Sequence, residues 1–162
     1  IFAAVFMGYA IGVAPIISYN YGAQNKDELK NLFKKSTIIT FTAGVIMTIL
    51  SVALARPLSS IFVSYDQNLL DMTTVGMRIF SVSFIFVGFN MFVSSFFTAL
   101  NNGLISAVVS FARTLIFQIG AVMLLPMAFG LTGIWCAIIV AEGLALVLEI
   151  IFLITNQKKY GY

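Results

Sequence analysis

The sequence predicts an all-α integral membrane protein, and two features of the chain lead to this prediction. Hydrophobic residues make up 60% of the 162 residues, only 9% are charged, and the mean hydropathy is +1.04. Soluble proteins contain about 25% charged residues. The apolar residues also lie in long blocks, whereas a barrel strand would alternate apolar and polar residues over about 10 positions. The apolar blocks are therefore predicted to be helices that cross a bilayer.

Five blocks are long enough, since a spanning helix needs roughly 20 apolar residues. We place about five transmembrane helices at residues 1–22, 37–55, 79–100, 104–127 and 131–154. The chain opens inside the first block, without an initiator Met or a signal-peptide pattern. We therefore expect a fragment from the C-terminal part of a longer protein, forming a single membrane domain over 1–162.

The first helix contains Pro15, about two turns before its end. A proline inside a helix removes a backbone hydrogen bond and can kink it. Pro15 is therefore predicted to be a helix-bending residue.

The segment 26–36 is predicted to be a short amphipathic helix on the membrane surface. Asn25 followed by Glu28 resembles a capping box, and the apolar residues of the segment fall on one face. A solvated linker is the alternative. The second spanning helix is expected to end near Arg56-Pro57, the third and fourth to be joined at Asn101-Asn102-Gly103, and the last two at Gly130.

The charge distribution predicts the orientation of the chain. Lysines are concentrated at 26–35 and at 158–159, and Lys and Arg mark the cytoplasmic side of membrane helices. Alternating spans then place both clusters and the C-terminus in the cytoplasm. Because the basic residues flank helices, the net charge of +3 indicates contact with the lipid bilayer and no nucleic-acid partner.

Three ionisable residues lie inside the predicted spans, where each costs about 3 kcal/mol near the bilayer centre. From the cytoplasmic ends of their helices, Arg113 lies about 15 Å deep, Glu142 about 18 Å and Glu149 about 8 Å. Arg113 could pair with either glutamate, and Glu149 is expected to snorkel to the interface. Glu142 is too deep to do so. It is a candidate protonatable or substrate-facing group, and a structural pair with Arg113 is the alternative.

The amides of Asn90 and Gln118 lie deep in their predicted helices and need hydrogen-bond partners. They could bond to a neighbouring helix or line an aqueous ion or substrate pathway. The sequence contains no His and a single Cys, so we expect no His-ligated metal site. The lack of His, of clustered carboxylates and of a phosphate-binding Gly-rich loop predicts that the chain is not an enzyme.

Several short motifs resemble those of the multidrug and toxic compound extrusion (MATE) transporters. The segment PIISYNYGA at 15–23, followed by the basic strip, resembles the box that closes a helix in that family. Further motifs follow in the family's order: FFTALNNG at 96–103, SFAR at 110–113, LP at 125–126, FGLTGIW at 129–135 and AE at 141–142. Asn101 stands where the family usually has Gly, and Glu142 where it usually has Asp.

The resemblance implies two six-helix lobes around a central cavity, with this chain forming most of the C-terminal lobe. Asn90 stands where the sodium-coupled branch has a carboxylate, and an amide cannot carry a proton. The coupling sodium ion or proton is therefore expected to be bound mainly by the other half of the protein. The N-terminal lobe of the same protein is the expected partner, and no cofactor is expected.

We therefore expect a secondary active multidrug or cation antiporter. It would export lipophilic or cationic small molecules in exchange for sodium ions or protons by alternating access, as a multi-pass protein of the cell membrane. The alternative is a flippase of the same broad fold for lipid-linked oligosaccharides or polysaccharides. Such a site is expected to be more cationic, to hold phosphate groups, and Arg113 is the only cation available inside the spans.

Overall fold

The computed structural model describes residues 2–162, and its regular elements in that range are all helical. They are α1 (Phe2–Gly22), α2 (Lys26–Ala53), α3 (Ala55–Val63), α4 (Gln67–Ser81), α5 (Phe84–Ala99), α6 (Gly103–Phe111), a π-helical segment (Ala112–Gln118) and α7 (Ile119–Tyr160). This confirms the prediction of an all-α fold.

The long helix α7 folds back on itself at Gly130, where φ is 57° and ψ is −136°. This conformation is open to glycine and rarely to other residues. The backbone at Gly133 lies against the carbonyl of Leu125, and Ala137 packs beside Ala121. From the first contact to the second, the residue number rises from 133 to 137 on one arm and falls from 125 to 121 on the other. The two arms therefore run antiparallel. We call the part of α7 after Gly130 the C-terminal arm.

Length and composition identify three stretches that could cross a membrane: Phe2–Gly22, Lys26–Ala53 and Gly103–Tyr160. A fourth is gained if α4 and α5, which are bent by 45° relative to each other, form one broken span. Five spans were predicted. The difference arises because the last stretch of 58 residues is about 87 Å of helix, nearly three times the roughly 30 Å hydrocarbon core. Its two arms contain the predicted helices 104–127 and 131–154.

The predicted interfacial helix at 26–36 and the predicted span at 37–55 form one continuous helix, α2, and this differs from the sequence-based division. No Gly or Pro separates the two segments, so nothing interrupts the backbone hydrogen bonds. The N-cap is as predicted: the side chain of Asn25 accepts a hydrogen bond from the Glu28 backbone N–H at 3.2 Å.

The predicted span at 79–100 also differs, because the chain bends between α4 and α5. Residues 79–81 belong to α4, which extends back to Gln67, through residues that lie between the second and third predicted spans. Asp66 caps this helix by accepting hydrogen bonds from the backbone N–H groups of Asn68 at 2.8 Å and Leu69 at 3.2 Å. The sequence did not predict this helix as part of a span because the segment contains the acidic residues Asp66 and Asp71.

Helix α5 occupies the centre of the bundle and packs against α1, α2, α6 and the C-terminal arm. Phe92, Phe96 and Phe97 on this helix are completely buried. They form the main hydrophobic core together with residues such as Ile17 and Leu29. These phenylalanines therefore pack the interior of the helical bundle.

One end of the bundle gathers the three segments that the charge pattern assigned to one side. The Nδ2 of Asn102 donates a hydrogen bond to the Tyr160 hydroxyl at 2.8 Å, and the Tyr21 ring meets Tyr160 edge-on at 5.7 Å. The side chain of Lys26 lies beside Gly161. The α1–α2 junction, the α5–α6 turn and the C-terminus therefore share one end, and its cytoplasmic location remains a prediction.

Candidate ion and substrate site

A buried amide on α5 holds a buried carboxylate on the C-terminal arm. Asn90 is fully buried. Its Nδ2 donates to the backbone carbonyl of Glu142 at 3.0 Å and to the Oε2 of the same residue at 2.7 Å. The second bond is charge-assisted when the carboxylate is ionised, and such bonds are stronger than those between neutral groups. Two distant sequence positions therefore form one polar centre inside the lobe.

Arg113 completes this centre from the π-helical segment. Its Nε lies 3.3 Å from the Oε1 of Glu142, and the side chains are 20% and 10% exposed, respectively. Arg113 therefore pairs with Glu142, the deeper of the two candidate glutamates. π-Helical turns are rare and often lie at functional sites. We refer to Asn90, Arg113 and Glu142 as the buried cluster.

The buried cluster borders an open depression of about 320 Å³ between α1, α5 and the start of the π-helical segment. Arg113 lines its wall, together with the hydroxyl groups of Ser94, Ser95, Thr98 and Ser110. Ser94 and Ser110 are hydrogen-bonded to each other at 2.9 Å. Arg113 thus stands between the depression and Glu142. A polar solute in the depression would meet hydroxyl groups and the guanidinium before the carboxylate.

Glu149 does not snorkel to the interface, which corrects the sequence-based expectation. Its exposure is 0%, and neither carboxylate oxygen has a hydrogen-bond partner among the described residues. The helix continues to Tyr160, so Glu149 lies about 16 Å from its end. The packing of the arm therefore encloses this side chain within the lobe.

The remaining predicted site residues lie away from the buried cluster. Gln118 lines a separate depression of about 330 Å³ beside Val122 and Met123. Pro15 lies inside α1, which remains helical on both sides of it, and its role in bending stays a prediction.

Two features of the site were not predicted. The hydroxyl pair of Ser94 and Ser110 joins α5 to α6; its signal was that Ser110 opens the SFAR motif. The π-helical turn around Arg113 gave no signal, since its sequence ARTLIFQ contains neither Gly nor Pro.

Asn101 has a φ of 57°, in the left-handed region that Gly favours and Asn tolerates. This explains why Asn can stand where the resembling family usually has Gly.

The described residues 2–162 contain no group of three or more His, Cys, Asp or Glu side chains that could hold a metal ion. The chemistry available at the buried cluster is therefore that of one carboxylate, one guanidinium and one amide. It can exchange the partner of a carboxylate or move a proton.

Comparison with known proteins decides the family. The MatE family model matches residues 1–124. The chain belongs to the MatE family. This confirms the family resemblance for the part of the chain that the model matches. Because the family consists of transporters, it also confirms the prediction that the chain is not an enzyme.

Relatives are found among curated bacterial proteins. The chain is 25% identical over 143 residues to the multidrug export protein MepA of Staphylococcus aureus (strain MSSA476), covering 86% of this chain and 30% of MepA. It is 26% identical over 139 residues to MepA of Staphylococcus haemolyticus (strain JCSC1435), covering 85% and 30%. The chain thus spans about a third of the length of these relatives.

Two solved structures have the same fold. An outward-facing multidrug resistance MATE family transporter of the MOP superfamily superposes with a TM-score of 0.88 at 19% identity, covering 96% of this chain and 35% of that one. An inward-facing conformation of such a transporter gives 0.82 at 19% identity, covering 99% and 40%. The fold is that of part of a MATE transporter, which makes this chain part of a multi-pass membrane protein.

Proposed function

We propose that this chain is part of a secondary active antiporter that exports lipophilic or cationic compounds in exchange for sodium ions or protons. It would form most of the C-terminal lobe and work with the N-terminal lobe of the same protein in the cell membrane, with its C-terminus in the cytoplasm. The observation that carries the proposal is the buried cluster, in which Arg113 both pairs with Glu142 and lines the open depression.

Exchange of partners at Glu142 gives this carboxylate two paired states. Without substrate, Arg113 neutralises the carboxylate at 3.3 Å, and a neutral pair is much less costly than a lone charge in an apolar interior. A cationic compound in the depression can take the place of Arg113 beside Glu142, while Asn90 holds the carboxylate in position. Alternating access then carries the compound across as the two lobes rock about the central site.

The coupling ion is proposed to bind mainly in the N-terminal lobe. At Asn90 the chain offers an amide, which cannot carry a proton and, unlike a carboxylate, brings no negative charge to an ion. Its Nδ2 is engaged with Glu142, and its Oδ1 has no hydrogen-bond partner among the described residues. The flippase alternative is less well supported. Arg113 is paired with Glu142, so the cluster offers no free cation to a phosphate group.

The proposal is tested in the full-length protein with Glu142→Gln. This change removes the exchangeable charge and keeps the side-chain size, so we expect resistance of cells to a cationic dye to fall several-fold at equal surface expression. Asp27→Asn, at an exposed carboxylate of α2, is the matched control. Gln118→Ala serves as a second comparison because Gln118 lies outside the buried cluster, and both should keep near wild-type resistance.

Transport is measured directly as dye uptake into inverted vesicles that contain each variant. Wild-type uptake by the Glu142→Gln variant would contradict the proposed role of this residue. Absence of dye transport by the unmodified full-length protein would contradict the antiporter proposal as a whole.

A further inference from the structure

The proposed exchange at Glu142 leaves unexplained the second carboxyl group on the same arm. Glu149 is completely buried, and both its oxygens lack hydrogen-bond partners among residues 2–162. One helical turn to either side, Ala145 and Leu153 are also buried, and Leu153 packs into the phenylalanine core. This carboxyl group therefore sits in an apolar part of the lobe.

An ionised carboxylate in such a place would be very costly. Buried charges in proteins are paired or hydrogen-bonded, and a group that has neither arrangement becomes neutral instead. Among residues 2–162 Glu149 has no ion-pair partner within 4.0 Å, and the Arg113 guanidinium is paired with Glu142. A neutral carboxylic acid is the form that fits the surroundings.

The charged groups that act on Glu149 from nearby are Arg113 on the π-helical segment and Glu142 on its own arm. Glu142 and Glu149 are seven residues apart, so they lie on one face of the helix, about 10 Å apart along its axis. On α5, the polar side chain that contacts Glu142 is that of Asn90. An amide has no proton to titrate.

On the α2 side, Lys30 and Lys34 line a depression with Ile150 and Leu153 of the C-terminal arm. Among the described residues Arg113 is the cation that acts on Glu149, and it is already paired with Glu142. One of these two carboxyl groups must therefore carry a proton if the site is to be neutral.

We propose that Glu149 is a proton-carrying site of this lobe, which releases its proton when a cationic compound displaces Arg113 from Glu142. The proposal rests on the proposed antiport function and deepens it, because it assigns a proton to the C-terminal lobe in addition to any ion bound by the N-terminal lobe.

The step is balanced in charge and atoms. The incoming cation pairs with Glu142, and Arg113 is freed. The O–H bond of Glu149 then breaks, its proton leaves to water, and the carboxylate that remains becomes the new partner of Arg113. One positive charge enters the site and one leaves it. A second cation bound without proton release would leave a buried guanidinium unpaired.

The protonation state is tested first, without any drug. Infrared spectra of the purified full-length protein at neutral pH should contain the C=O band of a protonated carboxylic acid. That band should be lost in Glu149→Gln and retained in Glu142→Gln and in Asp27→Asn. If Glu149→Gln does not fold, Glu149→Asp serves instead and should shift the band. Absence of the band in the wild type, or its persistence unchanged in the Glu149 variants, overturns the proposal.

Proton release on drug binding is measured next, in weakly buffered detergent solution with a pH-sensitive dye. Addition of a cationic dye substrate to the wild type should release protons, and this release should be lost in Glu149→Gln although the variant still binds the substrate. Unchanged release by Glu149→Gln overturns the inference while leaving the antiporter proposal intact. If substrate binding instead released sodium ions and no protons, the site would be assigned to sodium ions. That result would also overturn the inference. Failure of the wild type to bind the substrate would instead contradict the antiporter proposal.

Discussion

At the scale of single residues, the buried cluster follows from the cost of placing a carboxylate inside a membrane protein. Glu142 is only 10% exposed, and each of its oxygens has a partner, Arg113 for one and Asn90 for the other. Removing either partner would leave a buried acceptor unsatisfied, which costs more than the net gain of an ordinary hydrogen bond. The three residues should therefore behave as one energetic unit.

This coupling predicts a non-additive result for Arg113→Ala. Loss of the guanidinium leaves the buried Glu142 carboxylate without an ion-pair partner. This should destabilise the full-length protein by up to about 3 kcal/mol. Adding Glu142→Gln removes that stranded charge, so the double variant should be more stable than Arg113→Ala alone. Melting curves in detergent at neutral pH measure the four proteins of the cycle. Simple addition of the two single effects would show that the side chains do not interact.

The sequence predicted the members of the cluster but not which of them meet. Asn90, Arg113 and Glu142 were recognisable because polar side chains are rare in apolar spans and need partners. The pairing of Arg113 with Glu142 and the burial of Glu149 both depend on how the helices pack against one another, which a single sequence does not show.

At the scale of helices, the positions where helices begin and end depend on Gly, Pro and capping residues more than on hydropathy. α2 runs through the expected boundary at residues 36–37, where neither Gly nor Pro stops it, and its polar start was mistaken for a separate surface helix. Where α2 and α5 cross, Gly44 permits a close approach: an added Cβ would lie 2.7 Å from the Phe84 carbonyl oxygen. Such contacts require the folded partner and cannot be deduced from one segment.

The reversal at Gly130 gives a prediction with a single physical cause. An added Cβ at this glycine would meet no atom within 4 Å, so Gly130→Ala causes no collision. The cost is the backbone conformation alone, φ 57° and ψ −136°, which is worth about 1–3 kcal/mol. We expect a lower melting temperature for Gly130→Ala.

Gly12→Ala in the middle of α1 is the matched control. An added Cβ there also meets nothing within 4 Å, but the backbone is helical, and alanine is favoured over glycine in a helix by roughly 1 kcal/mol. This variant should be unchanged or slightly stabilised. Equal melting temperatures for the two variants would mean that the chain turns at Gly130 without strain.

At the scale of the whole molecule, two solved structures in different conformations share the fold of this chain. Solved structures in an outward-facing and an inward-facing conformation both superpose on nearly the whole chain, with TM-scores of 0.88 and 0.82. A packed bundle around α5 is not continuously deformable. Transport is therefore expected to move this lobe largely as a rigid body, with the bend between α4 and α5 kept in both states.

A disulfide inside the lobe tests this expectation. The hydroxyl oxygens of Ser51 on α2 and Ser81 on α4 are buried and 2.6 Å apart, close to the roughly 2.05 Å of a disulfide bond. Ser51→Cys with Ser81→Cys, in a full-length protein with Cys136→Ser and no other thiols, should therefore cross-link on oxidation. Because Ser81 ends α4 immediately before the bend, the cross-link fixes that bend to α2. Dye transport in vesicles should be the same before and after oxidation, and each single-Cys variant controls for damage by the oxidant. Loss of transport that a reducing agent restores would mean that α4 moves relative to α2 during the cycle and that the lobe is not rigid.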